Sequence, residues 1–526
     1  MHRCLQIPEI VYQISNSLEP HAAASLLYAN FPEDGVSVRK RDALALALVS
    51  RQFREPALDA LWRSLLSMKP LFNLLKPPAD AIPSLEKAVH AFSDVFACAE
   101  WMDNTDWTRY NYYARRVRYI RSSEAKEAKI LLYYIALSVR SRRPLLPNLR
   151  FLYWDYYVAH QAFHHLPLFV GPQLTTLVLD MDVMKWPHTP GAVSLFANVR
   201  SLCPSLDNLV LLNRFYNETG ENNGGATEVA ITMFPRVKSV DIHCKIYEDT
   251  WACLARMPNL RSLKSTFVAG EDDDTGDEAD PIGIALQPSR ANFASLEHLT
   301  VVVKTITDFV KFLPCLKFPR HLKSLDIRTV ECPSTADIDL FTKMLPAYCS
   351  PVTLTSLSLT CAPADPPHAA DFSPPLPASK LFTPLLQYRA MRHFTMHWCE
   401  MIFDNAFLEK TAVAWPELRS LDLCDMKHEF HFPITTVSGL VPLRKYCHHL
   451  ESLLIPVTDL DCGTLVPDLP KGGRKAKGLR TVTLVSRGRP PRDPEDVGKI
   501  MRFMKDFFPG WTKRLSLPQV TVMTGS

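Results

Sequence analysis

A short apolar pattern recurs along most of the chain and constrains the fold more than any other feature. In each copy, an apolar residue is followed by two other residues, a second apolar residue, one other residue and a third apolar residue. Twelve copies follow one another at an average spacing of about 30 residues. They are LRFLYW (149–154), LTTLVL (174–179), LDNLVL (206–211), VKSVDI (237–242), LRSLKS (260–265), LEHLTV (296–301), LKSLDI (322–327), LTSLSL (354–359), MRHFTM (391–396), LRSLDL (418–423), LESLLI (450–455) and LRTVTL (479–484), and VRYIRS (117–122) is a further match before them.

This pattern is the leucine-rich-repeat signature L-x-x-L-x-L. It predicts one short strand in each copy, followed by a helix or turn that returns the chain to the next strand. Because no single copy can bury its own apolar face, the copies must stack on one another. The predicted fold class is therefore α/β, with an N-terminal helical module followed by an irregular solenoid. In that solenoid of about 12–13 repeats, parallel strands line the concave side and helices or turns line the convex side.

Prolines support the repeat interpretation, because the chain contains 42 Pro and only 18 Gly. Eight of the twelve copies carry Pro shortly before the first apolar residue. Pro cannot continue a helix and favours extended geometry in the residue before it, so it is predicted to end each return helix and to begin each strand. These residues are Pro147, Pro172, Pro204, Pro235, Pro258 and Pro416, each two positions before the copy, and Pro319 and Pro351, each three positions before it.

Composition excludes several classes of protein. Of the 526 residues, 47% are hydrophobic and 22% are charged, which allows a large core and excludes wholesale disorder. The start of the chain lacks a signal-peptide pattern, and no apolar run is long enough to cross a membrane, so no membrane partner is expected. The 13 Cys form no CxxC pair and are expected to be reduced thiols. These features favour a cytoplasmic or nuclear protein.

The first part of the chain has helical rather than repeat character. The spacing of apolar residues predicts a helix that begins at Pro8, a helix over 43–53 and a helix that begins at Pro56, and the polar segment 32–42 is predicted to be a loop. Such a module is too small to form a comfortable domain alone. The predicted boundaries are a helical module over 1–66, a helical linker or cap over 67–114 and the repeats over 115–526.

No motif of enzyme chemistry is present, so no catalysis and no cofactor are expected. The DEAD tetrapeptide at 277–280 has no phosphate loop upstream and is interpreted as a solvated acidic loop. On one strand, His393 and His397 would lie roughly 13 Å apart, so they cannot share a metal with Cys399. The basic loop KGGRKAK at 471–477 is isolated, whereas nucleic-acid binding needs an extended basic surface, so nucleic acid is an unlikely partner.

The N-terminal residues carry a family resemblance. The segment from Ile7 to Ile14, the segment LALVSRQF at 46–53 and the segment PALDALWR at 56–63 resemble the F-box. Pro and Glu are adjacent here without the usual intervening residue, and residues 29–42 are an insertion. Together with the irregular leucine-rich repeats, these segments resemble a large fungal class of F-box proteins over essentially the whole chain.

The resemblance implies a substrate-recognition subunit. In that family the F-box helices dock on a Skp-type adaptor, which bridges to a cullin and RING ubiquitin ligase, and the repeats capture a target protein. The residues expected to contact the adaptor, or to support that contact, are Pro8, Ile10, Leu18, Leu48, Val49, Phe53, Leu61 and Trp62. The alternative is an interaction scaffold unconnected with ubiquitin ligation, whose N-terminal helices only cap the repeats.

Strand alternation suggests where a target would bind. Residues between the apolar core positions should face the concave side and form a polar ladder of mixed charge, which suits a protein partner. The expected target-binding residues are Ser239, Asp241, His243, Lys264, Asp326, Arg328, His393, Thr395, His397 and Asp422. The alternative is that this face is only solvated and the target binds at loops.

Overall fold

The computed structural model divides the chain into two compact units, Met1–Cys244 (unit 1) and Lys245–Ser526 (unit 2). Within the two units the structure describes residues 8–17, 33–75, 104–122, 144–154, 162–180, 190–212, 224–243, 246, 248–265, 293–316, 321–361, 377–397, 402–423, 435–457 and 481–486.

Unit 1 begins with helices and continues as a sheet of six described strands. The helices before the second strand are α1 (Pro8–Ser17), α2 (Glu33–Val49), α3 (Arg51–Arg63), α4 (Lys69–Phe72) and α5 (Thr108–Ala114). The strands are β1 (Ser64–Leu65), β2 (Tyr119–Ser122), β3 (Phe151–Trp154), β4 (Thr176–Asp180), β5 (Asn208–Leu212) and β6 (Ser239–His243). A 3-10 helix (Ala162–Leu168), α6 (Pro190–Leu202) and α7 (Gly224–Met233) lie between later strands. Each strand pairs in parallel with the next strand along the chain.

Unit 2 repeats the same strand-and-return design with eight described strands. These are β7 (Ser262–Ser265), β8 (His298–Val303), β9 (Ser324–Thr329), β10 (Ser356–Cys361), β11 (His393–His397), β12 (Ser420–Asp422), β13 (Ser452–Val457) and β14 (Thr481–Ser486). The α-helices are α8 (Glu248–Ala255), α9 (Ile306–Phe312), α10 (Thr335–Tyr348), α11 (Ala378–Leu381), α12 (Asn405–Ala414) and α13 (Val441–Tyr446). Three 3-10 helices (Leu313–Leu316, Thr383–Gln387 and Val437–Leu440) complete the returns. Neighbouring strands again pair in parallel and in chain order.

The α/β class and the repeat architecture predicted from the sequence are confirmed. Each of the thirteen apolar copies contributes one strand, which begins two residues after the first apolar position of the copy. Leu325 and Ile327 in β9 and Leu357 and Leu359 in β10 are fully buried, whereas the residues between them remain partly accessible or exposed. Parallel strands joined by helices bury this apolar face of the sheet.

Seven of the eight junction prolines lie within the described residues, each at the second position of a tight turn, and Pro319 lies outside them. The amide of Leu174 donates to the carbonyl of Gly171 at 3.0 Å, with Pro172 between them, and Leu418 donates to Trp415 at 3.1 Å across Pro416. A φ near −65° suits the second residue of a β-turn, and the missing N–H is not needed there. The predicted junction role of these prolines is therefore confirmed, and the turn explains it.

Three predictions about the N-terminal helices are wrong. Residues 33–42 belong to α2 rather than to a loop, because Lys and Arg are good helix formers and polarity alone does not separate an exposed helix from a loop. Ser50, which has extended backbone angles, divides the predicted helix over 43–53. The next helix begins at Arg51, so Pro56 lies inside α3 rather than at its start.

Capping boxes fix the start of two return helices in unit 2. The Ser334 hydroxyl accepts from the amide of Asp337, and the Asp337 carboxylate accepts from the amide of Ser334 at 3.2 Å. Burial opposes ionisation of Asp337, but hydrogen bonds from Ser334 and Thr307 lower the pKa of its carboxyl below the ordinary value. Thr305 and Asp308 form the equivalent box at α9.

We expect Ser334→Ala to lower the free energy of unfolding by about 1 kcal/mol, since the amide of Asp337 then loses its acceptor. Urea unfolding of the full chain measures this loss. The matched control is Thr335→Ala in the first turn of the same helix, which should change the value by less than about 0.5 kcal/mol. Equal losses in the two variants would contradict a capping role for Ser334.

Candidate docking and target surfaces

The C-terminal half of α2 presents an apolar face that the described residues of unit 1 leave uncovered. Leu48 is 79% exposed, Val49 is 66% exposed and Leu44 is 50% exposed, whereas Ala43 is buried. Large aliphatic side chains this accessible on consecutive turns of one helix mark an interaction surface. Leu44, Leu48 and Val49 are called the α2 apolar face below.

Helix α1 adds two further accessible apolar side chains in the same unit. Tyr12 is 45% exposed and Ile14 is 36% exposed, while Val11 of the same helix is buried. The Tyr12 hydroxyl accepts a hydrogen bond from Arg63 at 3.0 Å, which ties α1 to the end of α3. Helix α1 is therefore held in place while part of its apolar surface stays accessible.

The predicted adaptor-contact residues divide into accessible and buried sets. Leu48 and Val49 are the most accessible, and Ile10 and Leu61 are half-buried. Phe53 is only 4% exposed and therefore supports the fold of α3. Trp62 is half-buried, and its ring stacks on Tyr113 at a centroid distance of 4.5 Å. Pro8 is the first residue of α1, and the structure describes its backbone but not the accessibility of its side chain. Leu18 lies outside the described residues.

Side chains of α3 hold this helix against the segment around α5. Arg116 is buried and pairs with the carboxylates of both Glu55 and Asp59. The Tyr112 hydroxyl donates to Glu55 at 2.7 Å. This hydrogen bond and the Arg116 guanidinium lower the pKa of the Glu55 carboxyl. These contacts use residues of α3 and leave the α2 apolar face free for another role.

Strand β1 is a part of the sheet that the sequence did not predict. Ser64 and Leu65 pair with Tyr119 and Ile120 of β2, so the first strand lies inside the segment assigned to the helical module. Leu65 is a buried residue of this strand, although it lies within the segment predicted to be helical. A two-residue strand without a full repeat pattern gives no periodic signal.

In unit 2 the predicted target-binding residues lie on one face of the sheet. Lys264, Asp326, Thr395 and Asp422 occupy one row across the paired strands, and Arg328 and His397 occupy the next row. These side chains are partly accessible or exposed. His393 lies on the same face, in the row on the other side of Thr395 from His397, and is exposed.

Ion pairs organise this polar face of unit 2. His397 Nε2 lies 2.8 Å from Asp422 Oδ1, and Arg328 pairs with Asp326 at 3.2 Å. Although the residue as a whole is exposed, partial burial of its ring, together with the nearby Arg419 guanidinium, lowers the pKa of His393, so its imidazole is neutral at pH 7. The face therefore offers a mixture of charges and neutral donors, as the sequence predicts.

In unit 1 the corresponding face is different. Ser239, Asp241 and His243 are partly accessible, and Asp241 pairs with His243 at 3.0 Å. On β3 to β5, however, most positions between core residues are apolar and buried. They are Phe151, Tyr153, Val178, Val210 and Leu212. Thr176 and Asn208, at the start of β4 and β5, remain polar and partly accessible. The polar ladder predicted for every copy is therefore interrupted on β3 to β5, because apolar residues occupy most positions on both faces of these strands.

Two findings concern the sequence expectations that the chain holds no metal ion and crosses no membrane, and both are limited to the described residues. Within the described ranges, no group of three or more His, Cys, Asp or Glu side chains is positioned to hold a metal ion. Cys399, which was weighed with His393 and His397, lies outside those ranges. Among the described helices, none is long and apolar enough to cross a membrane.

One basic cluster in unit 1 was not predicted. Five arginines and Asp59 line a cleft next to α1, α3 and the turn before β3. Its sequence signal is Arg at the second position of the copies at 117–122 and 149–154, a position that the target-surface prediction did not use.

Comparisons with known proteins place no family name on the chain. No family model matches it, and no curated protein matches it. Among solved structures, it is similar to a chain of the yeast Rad7 and Elc1 complex, with 14% identity over 69% of this chain and 83% of that chain and a TM-score of 0.31. It is also similar to a chain of the Drosophila Toll–Spatzle complex, with 14% identity over 70% of this chain and a TM-score of 0.31. The match spans only 44% of that second chain.

Proposed function

We propose that this chain is the substrate-recognition subunit of a Skp–cullin–F-box ubiquitin ligase. Its N-terminal F-box-like helices dock on a Skp-type adaptor, and its repeats bind a target protein. The subunit performs no catalysis of its own and acts in the cytoplasm or the nucleus. The observation that carries the proposal is the α2 apolar face, which lies in the segment that resembles the F-box.

The energetics of the α2 apolar face favour a partner. Burying an aliphatic side chain of this size contributes roughly 1.5–3 kcal/mol. Leu48 and Val49 leave most of that contribution unused in the isolated chain, because they are 79% and 66% exposed. A partner helix or groove that covers them gains this free energy. The polar residues of the strand face are suited to a second protein rather than to this adaptor.

The alternative function, a cap without ubiquitin ligation, is favoured by a different observation. Arg116 joins α3 to the start of the sheet through Glu55 and Asp59, and β1 pairs with β2. These contacts fit a cap, and they leave the exposure of Leu48 and Val49 unexplained. The two roles therefore use different surfaces, and they can be separated by variants on α2 that leave α3 intact.

The test of the function is co-expression of the full chain with a Skp-type adaptor, followed by capture of the chain. Recovery of the adaptor with the unmodified chain, and its loss when Leu48 and Val49 are changed, supports the proposal. A chain that never captures the adaptor favours the alternative scaffold.

We expect the polar face of unit 2 to carry target binding. Asp326→Lys combined with Asp422→Lys reverses two charges of this face and should reduce target capture at least tenfold, whereas the same two changes in the otherwise unmodified chain should leave capture of the adaptor unchanged. The bait is the chain with Leu48→Asp and Val49→Asp, because captured targets are then not passed to the ligase. Quantitative mass spectrometry compares the proteins retained with and without the charge reversals.

The matched control reverses two acidic residues on return helices of the same unit. Asp339→Lys combined with Glu409→Lys makes the same change of net charge on α10 and α12. Proteins that are lost only with the strand-face variant are candidate targets. If both variants retain the same proteins at the same level, target binding by this face is wrong.

A further inference from the structure

A cleft in unit 1 concentrates positive charge. Its volume is about 440 Å³, and it is lined by Arg63, Arg115, Arg116, Arg118, Arg150 and Asp59. Pockets for small molecules usually measure about 300–1,000 Å³. The chain as a whole carries a formal charge of only +4, so the charge of this cleft is a local property.

Three of these arginines stack in one column of the sheet. The amide of Arg118 donates to the carbonyl of Arg63 at 2.9 Å, and the amide of Arg150 donates to the carbonyl of Arg118 at 2.8 Å. Each arginine thus immediately precedes its strand at a matching position in β1, β2 or β3. Their backbones are about 4.8 Å apart from strand to strand. The repeat geometry therefore brings together three cations that are distant in sequence.

The same repeat position, immediately before a strand, carries ion pairs later in each unit. In unit 1 Lys238 pairs with Asp207 at 2.9 Å, and in unit 2 Lys323 pairs with Glu297 at 2.6 Å. Unit 2 also has two successive cations at this position, Arg392 and Arg419, and there Glu451 pairs with Arg419 at 3.5 Å. A carboxylate thus accompanies the cations at these later positions, whereas the first three strands of unit 1 carry only arginines at this position.

One arginine of the cleft stabilises the fold through ion pairs within the protein. Arg116 is buried against Glu55 and Asp59, so its charge is already balanced. For Arg115, Arg118 and Arg150, the described residues show no carboxylate within ion-pair distance. These three side chains alone bring a charge of +3 to the cleft.

The cleft is also preorganised. The Arg118 guanidinium donates to the carbonyl of Arg115 at 2.8 Å, and the Asn148 side chain donates to the same carbonyl at 2.7 Å. Arg115 lies over the Tyr112 ring at 5.0 Å. Burial lowers the pKa of Arg118, and the neighbouring cations Arg150 and Arg63 lower it further. The like charges are therefore held close together in the unliganded protein. Their electrostatic repulsion destabilises the fold, and a bound anion would relieve that repulsion.

We infer that this cleft binds a small organic polyphosphate, that is, a compound with at least two phosphate groups. One phosphate monoester carries about −1.5 to −2 charges at pH 7, which is less than the three arginines provide. Arginine forks match phosphate oxygens in bidentate geometry, and three forks on one column can contact adjacent phosphates. The limited volume of the cleft suits a small compound better than a folded partner.

The site is distinct from the α2 apolar face and does not depend on the proposed ligase function. Its ligand would contact side chains from α3, β2 and the turn before β3, and so would brace the N-terminal helices against the first strands of unit 1. We therefore expect the ligand to raise the melting temperature of the full chain as well as to bind.

The experiment is isothermal titration of the purified full chain with inorganic tripolyphosphate, with sulfate and a singly phosphorylated peptide as comparators. We expect saturable one-site binding of tripolyphosphate that weakens as salt is raised. Arg150→Gln and Arg115→Gln should each weaken this binding at least about tenfold. Both side chains are exposed, and removing one of these like charges relieves repulsion, so these variants should not lower the melting temperature of the unliganded protein.

The matched control is Arg392→Gln, because Arg392 immediately precedes a strand of unit 2 at the same position in its repeat as Arg150. It should leave tripolyphosphate binding unchanged, and so should the Leu48→Asp and Val49→Asp variant, which separates this inference from the ligase proposal. The inference is overturned if the unmodified chain shows no saturable binding, or if Arg392→Gln weakens binding as much as Arg150→Gln. It is also overturned if the phosphopeptide binds through Arg150 more tightly than tripolyphosphate does.

Discussion

Changing Leu48 and Val49 together to Asp is expected to weaken binding of a Skp-type adaptor by at least about a hundredfold. Burial of each side chain contributes roughly 1.5–3 kcal/mol, so losing both contributions amounts to about 3–6 kcal/mol. Every 1.4 kcal/mol is a factor of ten in Kd, and unpaired carboxylates in an interface add to the loss. The fold itself should be unaffected, because both side chains are largely exposed in the isolated chain.

Controls for this prediction come from exposed aliphatic residues elsewhere. Leu340 on α10 is 44% exposed and Val413 on α12 is 57% exposed. Leu340→Asp combined with Val413→Asp introduces the same two charges far along the chain and should leave adaptor binding unchanged. Adaptor binding is measured by titration calorimetry, and circular dichroism checks that each variant melts at the temperature of the unmodified chain. Full adaptor binding by the Leu48→Asp and Val49→Asp variant would contradict a docking role for α2.

The choice of α2 rather than the end of α3 follows from the packing. Leu61 and Trp62 also belong to the F-box-like segment, but Trp62 stacks on Tyr113. A change at Trp62 therefore alters the fold of unit 1 together with any interface. Leu48 and Val49 separate binding from folding, which the sequence alone could not show.

Phe394→Ala is expected to lower the free energy of unfolding by about 3–5 kcal/mol. Phe394 is fully buried in β11, and its ring lies 5.0 Å from Trp415, 6.1 Å from Phe382 and 6.4 Å from Phe407. Truncation leaves a cavity among these rings, which belong to successive repeats and cannot all move to fill it. Urea unfolding measures the loss, and hydrogen exchange on β10 to β12 shows whether the loss is local to these strands.

Two controls define the expected range for Phe394. Phe394→Leu keeps most of the side-chain volume and should lower the free energy of unfolding much less than Phe394→Ala. Val413→Ala removes an exposed side chain and should change it by less than about 0.5 kcal/mol. A loss below about 1 kcal/mol for Phe394→Ala would show that the repeats do not share a tightly packed core.

The repeat architecture could be predicted from the sequence because its signals reinforce one another. Leu325 and Ile327 recur with the same spacing as Leu357 and Leu359, and the prolines mark the turns before the strands. The start of the sheet could not be predicted, since β1 consists only of Ser64 and Leu65 and follows a helix directly. Its position depends on pairing with β2, which is far away in sequence.

The candidate sites could be predicted only in part from the sequence, because tertiary packing and strand register decide which residues are accessible and which lie together. Helical spacing identifies Phe53 and Leu48 alike as apolar, and only tertiary packing decides that the first is buried and the second is exposed. Strand alternation identifies the polar face of unit 2. The arginine cleft depends on the register between β1, β2 and β3, which brings Arg63, Arg118 and Arg150 to adjacent positions. The repeat pattern gives Arg118 and Arg150 equivalent positions, but Arg63 precedes a strand outside the pattern, so no local signal places it beside them.

The most direct test of the ligase proposal is size-exclusion chromatography with light scattering on the purified full chain mixed with a purified Skp-type adaptor. At a concentration of about 10 μM, we expect a one-to-one complex that is absent when Leu48 and Val49 are changed to Asp and present in the Leu340→Asp and Val413→Asp control. Separate elution of the folded chain and the adaptor at this concentration would contradict the proposal.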